Sequence, residues 1–213
     1  MRSPFGEVLA ALDRAFEAVG IRWYLFGAQA ALLYGSTRLT ADVDVTVDLC
    51  GMETAQLARR LDTEGFTLRI TEPGFVERTR VLPVVHPATG IAADIVIAGP
   101  GLEELFLSRA QVCDVGGARV PVARAEDVVA MKLLAGRSKD LDDVVAILAA
   151  RADLDLDLLR ATLSLLESAL DQSDLTPALA AALERARGGS KLRPTKAPAS
   201  ISRTKKRRRP KSR

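Results

Sequence analysis

Two apolar, strand-length runs in this chain carry carboxylates in their interior, and that placement narrows the folds open to it. Ala41-Asp42-Val43-Asp44-Val45-Thr46-Val47 alternates acids with apolar residues, and Ile91-Ala92-Ala93-Asp94-Ile95-Val96-Ile97 sets one acid among aliphatics. Side chains of a strand alternate between faces, so Asp42 and Asp44 point the same way. At a rise of roughly 3.3 Å per residue their Cα atoms lie about 6–7 Å apart. Two readings fit this pattern. One is a half-exposed edge strand with its acids in water. The other is a pair of carboxylates sharing two Mg²⁺ ions about 3.5–4 Å apart, with a third carboxylate from a neighbouring strand. A site of the second kind binds a nucleoside triphosphate and activates an attacking hydroxyl.

The preceding segment favours the second reading. Arg22 to Phe26 reads as a strand that stops at Gly27, and Ala28 to Tyr34 as a short helix ended by Gly35. A glycine at a strand-to-helix turn lets a phosphate approach the free N–H groups at the helix start. Ala28 precedes Asp42 by enough chain for that helix and a return to an adjacent strand. The later Gly35-Ser36 pair stands too close to Asp42 to play the same part.

A small turn pair followed by Asp-x-Asp resembles the DNA polymerase β-type nucleotidyltransferase superfamily. Within it, Phe26-Gly27-Ala28-Gln29-Ala30 through Leu33-Tyr34-Gly35, then Arg38-Leu39-Thr40-Ala41-Asp42-Val43-Asp44, resembles the AbiEii/AbiGii toxin family, which includes the MenT toxins. A second block, Ala125 to Ala135 with Lys132 and then Arg137-Ser138-Lys139-Asp140-Leu141-Asp142-Asp143, is similar to that family's later motif. The resemblance covers roughly residues 20–150. It implies an α+β fold with a mixed sheet flanked by helices, and transfer of NMP from an NTP to an acceptor hydroxyl. It also implies an RNA acceptor (a tRNA 3′ end), a growth-inhibiting toxin role and a cognate antitoxin protein as partner. Asp42, Asp44 and Asp94 become the ligands of two Mg²⁺ ions, with Asp94 helping to activate the acceptor. Lys132 meets the triphosphate, and Gly27, Ala28, Arg38, Thr40 and Asp140 complete the nucleotide site. One departure stands out: the superfamily places Gly-Ser or Gly-Gly at the turn, whereas Ala28 offers only its backbone N–H.

Each of these residues has a plainer reading. Lys132 also suits a surface helix lysine with its stem on apolar neighbours. Arg38 suits a structural ion pair, and Asp140, Asp142 and Asp143 suit an acidic helix start favoured by the dipole. His86, before Pro87, reads as a strand-end surface residue. A degenerate nucleotide- or nucleic-acid-binding module and an aminoglycoside-type small-molecule nucleotidyltransferase remain as competing functions.

Composition is consistent with a cytoplasmic enzyme. Cys50 and Cys113 stand apart and, with one His, cannot supply a usual zinc set. No apolar run approaches the roughly 20 residues that span a bilayer. Helices are expected at 4–19, 52–64, 102–109 and 124–135, strands at 66–70, 78–86 and 91–97, and a hairpin around Gly116-Gly117. Leu156, Leu159, Leu163, Leu166 and Leu170 form one helical stripe, expected to pack against the domain. Thr176-Pro177 reads as the cap and first position of a last helix ended by Gly188-Gly189. The expected organisation is a nucleotidyltransferase domain over 1–150, a helical extension over 151–187 and a disordered basic tail over 188–213. That tail holds eleven of the 30 Lys and Arg and no acid, leaving 19 bases against 27 acids, a net charge of −8, for residues 1–187. An RNA tether, a localisation signal or a solubilising tail would each look like this.

Overall fold

The computed structural model describes residues 1–190 of the chain. The expected basic tail therefore lies, from residue 191 on, outside the described residues. In chain order the elements are α1 (Pro4–Glu17), β1 (Arg22–Phe26), α2 (Gly27–Leu33), β2 (Asp42–Asp48), α3 (Thr54–Thr63), β3 (Thr67–Leu68), α4 (Phe75–Thr79) and β4 (Val81–His86). They continue with β5 (Ile91–Ile97), α5 (Leu102–Arg109), β6 (Gln111–Val115), β7 (Ala118–Val122), α6 (Ala125–Ala135), α7 (Ser138–Ala150), α8 (Leu156–Leu170) and α9 (Leu175–Ser190). The strands form one seven-stranded sheet in the order β3-β4-β5-β2-β1-β7-β6. It is mixed: β2 runs parallel to β5 and β1 parallel to β7, and the other neighbours are antiparallel. This is the expected α+β architecture.

The two-residue period of β2 sorts its side chains between two environments. Val43, Val45 and Val47 are fully buried, while Asp42 and Asp44 on the opposite face are only part-buried. The Val face is covered by α1, whose Phe16 meets Trp23 of β1 edge to face at 5.4 Å. Trp23 stands opposite Val47 in the sheet, which fixes α1 on that side. Helix α1 starts where it does because the Ser3 hydroxyl accepts the Gly6 N–H at 3.1 Å, with Pro4 at the first helical position. Its seating on the β6–β7 hairpin requires glycine at position 6, since a Cβ there would stand 2.1 Å from the Gly116 carbonyl oxygen.

The carboxylate face looks the other way. There Tyr24 of β1 meets Phe106 of α5 edge to face at 6.5 Å, and helices α6 to α9 pack around the rest. Helix α6 is buried on nearly every side: Val128, Val129, Ala130, Lys132 and Leu133 are all inside. Of the leucine stripe on α8, Leu159, Leu163 and Leu166 are buried, whereas Leu170 is 51% exposed, as is the off-stripe Leu165 at 54%.

Several boundaries differ from expectation. The run expected as a strand from 78 begins instead with the one-turn helix α4, bracketed by left-handed backbone at Gly74 and Arg80. Only Thr67 and Leu68 of 66–70 pair with β4. Helix α9 starts at Leu175, and Thr176 does not cap it: its N–H and its hydroxyl both donate to Glu167 of α8 at 2.8 Å. The same helix runs through Gly188-Gly189 to Ser190 rather than ending at the glycine pair. Cys50 and Cys113 are free thiols, and no helix among the described residues is long and apolar enough to cross a membrane.

Candidate active site

Strand β2 is the fourth of seven, so its acids do not sit on an edge strand. Register brings the third acid to them: Asp44 stands directly opposite Asp94 of the parallel strand β5, and Asp42 opposite Ala92. On the other side Asp44 faces Phe26, the last residue before the β1–α2 turn. Three carboxylates and that turn thereby converge on one cleft of about 280 Å³. Gly27, Ala28, Arg38, Thr40, Asp42, Asp44, Asp94, Lys132 and Asp140, the nine residues singled out from sequence, all line it.

Gly27 has a physical reason in this geometry. Its φ is +67°, and a Cβ would stand 2.0 Å from Asp44 Oδ2. The space a side chain would take is the space the Asp44 carboxylate occupies, with the Ala28 backbone N–H beside it. At this turn the absent Cβ thus makes room first for an acid of the protein itself.

Electrostatics single out Asp44. Burial pushes its pKa up to about 6, and the negative charges of Asp42 and Asp94 add to the rise against the opposing effects of Lys132 and the Ala28 N–H. A carboxylate held among other carboxylates in a partly desolvated cleft favours a cation. Among the described residues no three His, Cys, Asp or Glu side chains form a metal-binding group as they are placed. The neighbours show what holds them: Asp42 takes the Thr40 hydroxyl, and Asp94 pairs with Arg69 from the β3–α4 segment. Thr40 and Arg69 are both at least part-exposed, so neither contact is locked inside the core. The donors themselves are hard carboxylate oxygens on one face of one sheet, which fits Mg²⁺.

Behind the acids lies a buried charge network. Lys132 is 5% exposed, which rules out the surface-lysine reading; its Nζ donates to Asp143 at 2.7 Å and to Asp140 at 3.2 Å. Asp143 also accepts from the Arg38 guanidinium at 2.9 Å and the Ser36 hydroxyl at 2.6 Å. Arg38 thus makes the structural ion pair that competed with a direct role, while still lining the cleft. Burial alone would raise Asp143, but hydrogen bonds from Arg38, Lys132 and Ser36 hold it below the ordinary carboxylate range. Asp140 is likewise held low, by Arg137 and Lys132 against burial.

In sequence Asp143 had a place only in the second motif block and in an acidic helix start, and Ser36 had no part in the site. The available signal was the i, i+3 spacing of Asp140 and Asp143, which puts both on one face of α7. Arg137 and Lys139 also line the cleft, and Lys139 is exposed with no ion pair among the described residues. His86 does not line the cleft and packs against the Phe66 ring at 5.1 Å.

No family model and no curated protein matches the chain in sequence. Solved structures do match in shape. An antigenic nucleotidyltransferase-like protein from Paracoccidioides brasiliensis superposes with a TM-score of 0.52 at 18% identity, covering 87% of this chain and 94% of that one. The antibiotic-resistance factor ANT(2″)-Ia superposes at 0.55 with 14% identity, covering 80% of this chain and 97% of that one. A crystal structure of ANT(2″)-Ia with adenylyl-2″-tobramycin gives 0.54 at 13% identity, over 79% and 99% of the two chains. At these identities the likeness is one of fold, and the chain has the nucleotidyltransferase fold. The narrower AbiEii/AbiGii resemblance rests on the sequence motifs alone.

Proposed function

We propose that the protein transfers a nucleoside monophosphate from an NTP to an acceptor hydroxyl, releasing pyrophosphate. The observation that carries this reading is the register of Asp44 with Asp94, which with Asp42 sets three carboxylates on one cleft beside the Gly27–Ala28 turn. Asp42 and Asp44, with Asp94, would hold Mg²⁺, and two such ions when bound supply charge neutralisation at the α-phosphate and at the leaving oxygen. Asp94 turns from Arg69 to the acceptor and takes its proton as the new P–O bond forms and the bond to pyrophosphate breaks. Lys139 and Arg137 meet the outer phosphates, and Lys132, fixed by Asp140 and Asp143, places its charge beside Asp44. The Ala28 N–H lies with Asp44, so no turn hydroxyl is required for this arrangement.

For the acceptor, the AbiEii/AbiGii resemblance and the eleven tail cations support RNA, a toxin role and an antitoxin partner. The fold shared with ANT(2″)-Ia, solved with an adenylylated tobramycin, supports a small molecule. The two free thiols support a reducing, cytoplasmic setting. The domain division at about residue 150 belongs to this proposal too, with α8 and α9 packed on helices α6 and α7 of the nucleotidyltransferase domain.

The test is Mg²⁺-dependent NTP binding, followed by calorimetry, and label transfer from [α-³²P]NTP. Asp42→Asn and Asp44→Asn are each expected to lower transfer at least 10³-fold while the circular dichroism spectrum is unchanged, in line with the loss of a preorganised electrostatic group. Near wild-type turnover in either folded variant would remove the assignment.

A further inference from the structure

A second cavity, of about 650 Å³, opens beside the carboxylate cleft and shares Phe26 and Met131 with it. Its walls are Tyr24, Thr46 and Val96 from the sheet and mainly Phe106, Leu165 and Leu170 from the helices. Among the described residues one carboxylate, Glu103, lines it, and no Lys or Arg does. We propose that this recess is the acceptor subsite, shaped for an uncharged small molecule that carries a hydroxyl on an apolar body. The proposal rests on the transfer reading above and adds the acceptor class to it.

The sheet register makes the two cavities one groove. Asp42, Asp44 and Thr46 alternate along one face of β2, and Asp94 and Val96 do the same on β5. Successive rungs of that face read Phe26–Asp44–Asp94 and then Tyr24–Thr46–Val96. One further step along the strands, about 6–7 Å, leads from the carboxylates to the floor of the recess. The groove is also graded in charge. Arg38, Lys132, Arg137 and Lys139 line only the carboxylate cleft, and the apolar side chains lie beyond the acids.

In-line displacement turns that gradient into an assignment. The attacking and leaving oxygens lie on opposite sides of the phosphorus. Pyrophosphate leaves toward the cations, so the acceptor hydroxyl comes from the other side, across the Thr46–Val96 rung. The acceptor's body then fills the recess. A polyanion would find no Lys or Arg on that wall among the described residues, although such cations supply most of a polyanion's affinity. A polycation would find one acid. The volume lies within the range of small-molecule sites, about 300–1,000 Å³. Leu134, Leu165 and Leu170, which line this recess, are 40%, 54% and 51% exposed, an apolar surface that the described residues leave uncovered.

Ala169 is exposed and lines the recess, so Ala169→Trp fills the recess without disturbing the core. Leu165→Asp adds a charge at a second exposed position. The full chain is tested with Mg²⁺ and [α-³²P]NTP against 2-naphthaleneethanol and a terpenoid alcohol as neutral probes, tobramycin as a polycation and total tRNA as a polyanion. Saturation-transfer NMR follows binding of the naphthyl probe. The neutral alcohols are expected to bind and to take label, and both variants to weaken the naphthyl probe at least tenfold with Mg–NTP affinity changed less than twofold. An unchanged probe affinity in both variants overturns the subsite. So does label found only on tRNA or tobramycin, or a Trp variant that weakens the NTP instead, which would make the recess a nucleobase pocket. Loss of Mg-dependent NTP binding in the wild type would defeat the transfer reading itself, a separate outcome.

Discussion

Asp44 carries the conflict between folding and chemistry at the scale of one residue. Its pKa of about 6 lies above the ordinary carboxylate value because it is part-buried beside Asp42 and Asp94. The folded state therefore binds this proton more tightly than the unfolded chain does. The linkage sign follows: between about pH 4 and 6 the native state carries the extra proton, so stability falls as pH rises through that window, and the full penalty is present above it. At about 1.4 kcal/mol per unit, reduced for solvent reaching the cleft, the metal-free protein loses roughly 1–2 kcal/mol. Asp44→Asn is thus expected to be more stable than wild type by about that amount at pH 8 without metal, and equal to it near pH 4. Urea unfolding at the two pH values in a chelator checks it. A variant less stable at pH 8 would show that the carboxylate is held by contacts rather than strained by its neighbours. Gly27 belongs to the same economy of space, since the Asp44 carboxylate fills the volume its side chain would need.

At the scale of elements, the Lys132–Asp140–Asp143 network ties α6 to α7 and, through Ser36 and Arg38, to the segment that enters β2. All three side chains are at most 6% exposed, so breaking the network strands buried charge. Asp143→Ala should cost about 3–5 kcal/mol. For a chain of this length that corresponds to a fall of roughly 10 °C in the melting midpoint. Asp140 and Asp143 are held low, so their stabilising share is present above the ordinary carboxylate pKa and is lost as pH falls below about 4. Thermal melts at pH 7 and pH 3 should show the Asp143→Ala deficit shrinking in acid; a deficit independent of pH would mean that packing, not charge, is what the variant removes. The elements themselves were mostly readable from sequence, because β2, β5 and α8 bury one face each and the periods of two and 3.6 are plain. Helix α4 was not, since a single turn between two left-handed residues has no period. Nor was Asp143's place: which acid of Asp140, Asp142 and Asp143 meets Lys132 depends on how α7 is rotated against α6, a packing outcome no local pattern fixes. The apolar recess was hidden for the same reason, as its walls come from β1, β2, β5, α5, α6 and α8, each contributing residues that read locally as ordinary core.

For the whole molecule, the decisive feature is how charge is divided along the chain. Residues 1–187 hold 19 bases and 27 acids, and the remaining segment holds eleven bases and no acid. Helix α9 continues to Ser190, and the intervening Gly188, Gly189 and Ser190 add no charge, so truncation after Ser190 removes all eleven cations and keeps every described residue. A body of net charge −8 repels RNA on average, so any affinity for a polyanion is expected to come from the eleven cations beyond it. Each phosphate neutralised contributes about 0.7–0.9 to the slope of log affinity against log salt. Full-length protein is therefore expected to bind a single-stranded RNA with a slope of several units, and the truncated protein with a slope near zero. NTP binding, proposed for the cleft, should change less than twofold on truncation. Transfer to a neutral acceptor in the recess should be equally indifferent, because neither reactant there needs the tail. Fluorescence anisotropy with a labelled RNA, over about 50–200 mM salt, measures the slope. Equal slopes with and without the tail would place the RNA-binding surface on the body, and with it the case for a polymer acceptor.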